Sequence, residues 1–280
     1  MIWMALTLLL LFSAALLGVF GLFEVFAWSR LYHPHRRIEH TPAEAGLEFE
    51  EITLVTVDDC RLNAWWLPNP DARATVLMCH GNTGNMGDCI ERMADLHSMG
   101  AHVLLFDYRG YGKSRGFPTE RGLYRDAAAA YEWIRTTQYD NAECPPIILL
   151  GHSLGGAVAA KTAVDKSVAG LILESTFTSI QDIARALYPF IPPWAERLMG
   201  QRFDSLSRIA SVRAPVLIAA SPEDHFVPGA MGRRLFERAN EPKQFCELTG
   251  DHITSGWRLT PAFGKAVTEM IHAVHHRILL

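Results

Sequence analysis

The chain has 280 residues, 49% of them hydrophobic, a formal net charge of −4 and a pI near 6.3. Length and apolarity suffice for the core of one large domain, and the charge leaves no basic footprint for nucleic acid. Five scattered cysteines (Cys60, Cys79, Cys89, Cys144, Cys246) form no C-x-x-C pair, so neither a zinc site nor a disulfide framework organises the fold.

From Ile2 to Phe23 no charged residue occurs, and about 20 apolar residues cross a bilayer core as a helix. A cleaved signal peptide would need a basic start and a small-residue cleavage site, and neither is visible. Arg30, Arg36 and Arg37 follow the apolar run while none precedes it, so the positive-inside rule puts the body in the cytoplasm. Trp28 and Tyr32 suit the membrane interface. Residues 1–28 therefore read as a single-pass transmembrane anchor, and residues 29–47, polar and proline-marked, as a juxtamembrane linker. Residues 48–280 read as the catalytic domain.

Ile52–Val57 and Leu62–Leu67 are β-rich runs separated by Asp58-Asp59-Cys60-Arg61, an antiparallel hairpin at a sheet edge. Short apolar runs then recur at Thr75–Cys79, Val103–Phe106, Ile147–Leu150, Leu171–Leu173 and Val216–Ala220, the pattern of parallel strands buried on both faces. Apolar stripes at helical spacing separate them, as in Leu123, Ala127, Tyr131 and Ile134, and again in Phe263, Val267, Met270, Val274 and Ile278. Alternating β and α units imply a mostly parallel central sheet with helices on both faces. Ligands of such sheets sit beyond the carboxyl ends of the strands.

Gly151-His152-Ser153-Leu154-Gly155 is a G-x-S-x-G run with a strand before it and a helix-compatible segment after it. That is the setting of a nucleophile elbow, with Ser153 exposed at the strand's end. A serine hydroxyl needs a base, and the base needs an acid to orient it. His252, in the loop after Gln244–Leu248 and before the last helix, is the candidate base. His152 is expected to point away from the nucleophile. Asp224 follows the strand Val216–Ala220 and completes the order Ser, Asp, His; Glu174, after the preceding strand, is the rival acid, with Glu223 and Asp251 behind it. Backbone N–H groups must also stabilise the developing oxyanion. Leu154 supplies one, and the loop His80-Gly81-Asn82-Thr83-Gly84-Asn85 the other, through Asn82 or alternatively Thr83; His80 reads as structural. The glycines of Asp107–Ser114 match no Walker pattern and order a loop near the site.

Taken together, His80–Asn85, Phe106-Asp107-Tyr108-Arg109-Gly110-Tyr111-Gly112-Lys113-Ser114, Gly151–Gly156 and Glu174-Ser175-Thr176-Phe177 resemble the bud-emergence-like group of α/β-hydrolases, membrane-anchored enzymes that include protein depalmitoylases. The resemblance runs from about Ile52 to the C-terminus. It implies the α/β-hydrolase fold and cleavage of acyl esters or thioesters, on small or lipidated substrates, by Ser153, Asp224 and His252, with oxyanion donors at Asn82, Thr83 and Leu154. No cofactor or metal is implied, because a side-chain base activates the nucleophile. Asp59 stands where relatives usually carry glycine. The stretch 176–213 is short and proline-punctuated, fitting a small helical cap. A serine peptidase on the same fold and a non-enzymatic membrane scaffold are the competing functions.

Overall fold

The computed structural model describes residues 2–138, 145–190, 192, 200–256 and 258–276. It begins with one long helix, α1 (Ile2–Leu31), whose apolar run is long enough to cross a membrane and has none of its length buried in the body. The helix continues past Phe23 and Trp28 to Leu31.

The segment expected as a free linker is instead packed. Strand β1 (His33–Pro34) pairs in parallel with β5 (Thr83–Gly84), and a short 3-10 turn covers Pro42–Ala45. Tyr32 is buried, and Trp28 stacks on Phe117 with ring centroids 4.3 Å apart. Asn85 Nδ2 donates to the carbonyls of His35 and Arg37, which closes the polar backbone of this stretch against the body. Its polar side chains are mostly exposed, while its backbone is hydrogen-bonded to a loop distant in sequence.

Among the described residues the main sheet has eight strands. Between β1 and β5 the chain forms β2 (Glu50–Val55), β3 (Arg61–Leu67) and β4 (Ala74–Cys79). There follow α2 (Ile90–Ser98), β6 (Ala101–Phe106), α3 (Glu120–Trp133), β7 (Ile147–His152), α4 (Leu154–Asp165), β8 (Gly170–Glu174) and α5 (Ile180–Leu187). The order continues through α6 (Ser205–Ile209), β9 (Val216–Ala220), α7 (Gly229–Arg238), β10 (Lys243–Glu247) and α8 (Pro261–His276). Across the sheet the order is β10-β9-β8-β7-β4-β6-β3-β2, parallel except where β3 meets β2 and β6. This is the α/β-hydrolase fold that the motifs imply.

Every residue of β4 is buried, because successive side chains enter opposite cores. Leu77 and Cys79 meet α3 and α4 through Leu123, Ala127 and Ala157. Val76 and Met78 meet α2 and α8 through Met93, Leu96, Phe263 and Val267. The hairpin turn carries Asp59 in the left-handed region, φ 59°, which costs a non-glycine residue about 1 kcal/mol or more. Its neighbour Asp58 anchors the turn inward: the carboxylate takes Arg109 Nη1 at 2.9 Å, and Arg109 also holds the buried Asp126. The turn therefore braces the loop 107–114, beyond the edge role expected of it. Of the expected cap, α5 and α6 are described, while residues 191 and 193–199 lie outside the described residues.

Candidate active site

The carboxyl ends of β7, β8 and β9 and the loops after β4 and β10 converge on Ser153. At Ser153 the backbone has φ 53° and ψ −117°, a sparsely populated combination for a non-glycine residue. Surrounding contacts hold it there. Ser153 N–H donates to Glu174 O at 3.0 Å, and Ser153 O accepts from Gly156 N–H at 3.0 Å and Thr176 Oγ1 at 2.6 Å. A side chain on the flanking glycines would collide with backbone: a Cβ on Gly151 would lie 2.3 Å from Gly155 O, and one on Gly155 2.0 Å from Cys79 O. The two glycines let strand, turn and helix pack at the separation the elbow needs.

His252 lies in the loop after β10, pinned by Gly250 N–H to Glu223 Oε2 at 2.9 Å and by Thr254 N–H to Asp251 Oδ1 at 2.9 Å. Its Nε2 is 3.0 Å from Ser153 Oγ and its Nδ1 is 2.6 Å from Asp224 Oδ2. Asp224 Oδ1 accepts the N–H groups of Phe226 and Val227 at 2.8 and 2.7 Å, which fixes the carboxylate in a tight turn after β9. The carboxylate accepts from Nδ1–H, leaving the Nε2 lone pair facing the Ser153 hydroxyl.

A family described as serine aminopeptidase, S33 matches residues 70–208. An uncharacterized Mycobacterium tuberculosis protein is 37% identical over 232 residues, 81% of each chain. The α/β hydrolase domain-containing protein WAV2 of Arabidopsis thaliana is 34% identical, over 71% of this chain and 69% of its own. The bem46 protein of Schizosaccharomyces pombe is 35% identical, over 67% of this chain and 64% of its own. The chain belongs to the bem46-like group of α/β-hydrolases. A Pyrococcus furiosus esterase structure shares the fold, with a TM-score of 0.72 at 22% identity over 88% of this chain and 98% of the esterase.

In this hydrolase the rival carboxylate is otherwise engaged. Glu174 is fully buried and paired with both terminal nitrogens of Arg92, with Nη2 3.0 Å from Oε1. Its other close neighbour is His152, whose Nδ1 is 3.8 Å from Oε2. The His152 ring lies against that of His252, centroids 5.2 Å apart. Burial first, then the Arg92 charge, holds His152 well below the ordinary histidine range, so a neutral ring flanks His252. Adjacency to the nucleophile pointed to His152, but only packing reveals that it touches the other histidine.

The loop after β4 passes close to the serine, since a Cβ on Gly81 would come within 3.5 Å of His152 Cδ2 and 3.9 Å of Ser153 Cβ. Asn82 and Thr83 follow on this loop, and Leu154 opens α4. The Asn82 side chain turns elsewhere, its Nδ2 donating to Leu31 O at 3.0 Å. His80 lies beneath the loop, Nδ1 donating to Gly81 O at 2.8 Å and Nε2 3.5 Å from the Asp107 carboxylate. Burial pushes His80 down to about 4 and Asp107 up to about 7. The carboxyl therefore holds a proton through the mildly acidic range while the imidazole stays neutral. Among the described residues no cluster of histidine, cysteine, aspartate and glutamate side chains could hold a metal ion.

Proposed function

We propose that this α/β-hydrolase is a membrane-anchored serine hydrolase that cleaves carboxylic esters or thioesters. The observation that carries the reading is the bridge made by His252, 3.0 Å from Ser153 Oγ on one side and 2.6 Å from Asp224 on the other. His252 Nε2 takes the hydroxyl proton as Ser153 Oγ bonds to the acyl carbon, and the carbonyl electron pair moves onto oxygen. Asp224 holds the imidazole and offsets the charge it acquires. Backbone N–H groups of Leu154 and of Asn82 or Thr83 meet the oxyanion, where one donor is worth roughly 3 to 4 kcal/mol. The tetrahedral intermediate collapses, expelling an alcohol or thiol that takes the proton back from His252. Water repeats the sequence on the acyl-enzyme and releases the acid.

The helix α1 supports a single-pass anchor over residues 1–28, with residues 29–47 joining it to the catalytic domain 48–280. Arg30, Arg36 and Arg37 argue for a cytoplasmic body. An acyl substrate dissolved in the same bilayer would meet the site at raised local concentration.

The match to a serine aminopeptidase family favours peptides as a second reading. A free α-amino group would call for a carboxylate beside the nucleophile. Those nearby are committed: Glu174 to Arg92, Glu223 to Gly250 N–H, and Asp251 to the N–H groups of Ile253 and Thr254. Ester cleavage is the better fit. A panel of p-nitrophenyl esters of graded chain length, an acyl thioester and an aminoacyl p-nitroanilide separates the readings. Turnover of the esters or the thioester, without release from the anilide, is expected; anilide cleavage as the dominant activity would reassign the protein as a peptidase.

A further inference from the structure

We infer that the junction between the apolar helix and the body is a positioning element of the active site: the end of α1 and the strand after it hold the loop that carries the oxyanion donors. The inference rests on the serine-hydrolase reading above.

Three consecutive residues of that loop are tied to this one segment. Asn82 Nδ2 donates to Leu31 O at 3.0 Å, at the last residue of α1. His33 N–H donates to Asn82 O at 2.9 Å, and His35 N–H to Gly84 O at 2.9 Å. Thr83 pairs with His33 in the two-strand ladder between. Asn82 is thereby gripped from both its side chain and its carbonyl, and Tyr111 Oη donates a second bond to that carbonyl at 2.7 Å. With Asn82 O occupied, the orientation of the Asn82–Thr83 peptide plane, which carries Thr83 N–H, is set by the juxtamembrane chain together with Tyr111, while His80 holds the Gly81 carbonyl of the plane before it. An oxyanion donor works only when its N–H is held in place before the charge forms, and among the described residues the regular ladder of this loop is the two-residue one it makes with this segment.

The segment is itself fixed to the body on the other side. Trp28 Nε1 donates to Pro118 O at 2.9 Å, Tyr32 Oη to Gln201 Oε1 at 3.1 Å, and Gly200 N–H to Glu24 Oε1 at 3.1 Å. A displacement of α1 relative to the body would therefore be transmitted to Asn82 through Leu31 and His33. The span and the candidate oxyanion loop form one mechanical unit.

The test uses the full-length chain in detergent, with p-nitrophenyl butyrate as substrate and an alkyl boronic acid as a tetrahedral analogue. His33→Pro deletes the N–H that holds Asn82 O, whereas His33→Ala removes only the exposed side chain. His33→Pro is expected to lower kcat about ten- to a hundredfold more than His33→Ala, a fraction of what loss of a whole donor costs. KM should change by less than about threefold, and boronate affinity should fall in proportion to kcat. Asn82→Ala deletes the bond to Leu31 while keeping the backbone N–H, and should lower kcat and boronate affinity together whether or not the proline variant folds. Equal kcat in the two His33 variants, an effect confined to KM, or unchanged boronate affinity in Asn82→Ala would overturn the positioning role. Hydrolysis as fast in Ser153→Ala as in the unmodified chain would overturn the site reading, and the positioning role with it.

Discussion

Asp224 and Glu174 are buried carboxylates at the ends of neighbouring parallel strands, and their partners separate their roles. Asp224 faces His252 at 2.6 Å, whereas Glu174 answers the charge of Arg92. Asp224→Asn should present an amide N–H to His252 Nδ1, select the wrong tautomer and lower kcat by about 10³- to 10⁴-fold. Glu174→Gln should cost far less in kcat but destabilise the fold, since it removes the buried charge that pairs with Arg92. Kinetics and thermal melts on both variants check this, and a larger kcat loss in Glu174→Gln at equal stability would exchange the two roles. Asp107 supplies a second test. Its native pKa is raised to about 7 by burial, while an unfolded aspartate titrates near ~3.9. Between those values the native state keeps a proton that the unfolded state has released, so this group's contribution to stability is lost as pH rises toward 7. Asp107→Asn imitates the protonated acid in carrying no charge and can still accept Met86 N–H at Oδ1. Its melting temperature should match wild type near pH 4 and exceed it at pH 8; a difference independent of pH would contradict the shift.

At the scale of elements, the parallel strands are legible because burial on both faces leaves almost no polar residue in them. Val216–Ala220 is read to the residue, and β4 to within one. The elbow is legible for a related reason: Gly151 and Gly155 stand where no side chain fits. Strand β1 is not. A two-residue ladder has no periodicity, and His33, Pro34 and His35 are as polar as any linker, so only their partners Asn82 and Gly84 reveal the pairing. Likewise the contact of the His152 ring with that of His252 joins residues 100 positions apart, which no local pattern encodes. The consequence can be measured by truncation. A chain beginning at Thr41 loses every bond from Leu31, His33 and His35 to the loop and should lose at least about tenfold in kcat on a soluble ester. One beginning at Gly21 keeps Glu24, Trp28 and those bonds, and should retain the rate. Equal rates in both would make the segment a simple tether.

For the whole molecule, the contacts of Glu24, Trp28 and the adjoining Tyr32 leave the body little freedom to move relative to α1. Exposed apolar side chains flank the site, with Phe226 beside Asp224 and Ile253 beside His252, and suit an acyl chain or the bilayer from which one is drawn. All of this depends on Ser153 being the group that attacks. Labelling with a fluorophosphonate probe, followed by peptide mapping, tests that most directly. The account predicts one adduct, on Ser153, formed in step with loss of ester hydrolysis, and neither labelling nor turnover in a folded Ser153→Ala variant. Labelling of Ser153→Ala equal to that of the unmodified protein, or full turnover with Ser153 blocked, would contradict it.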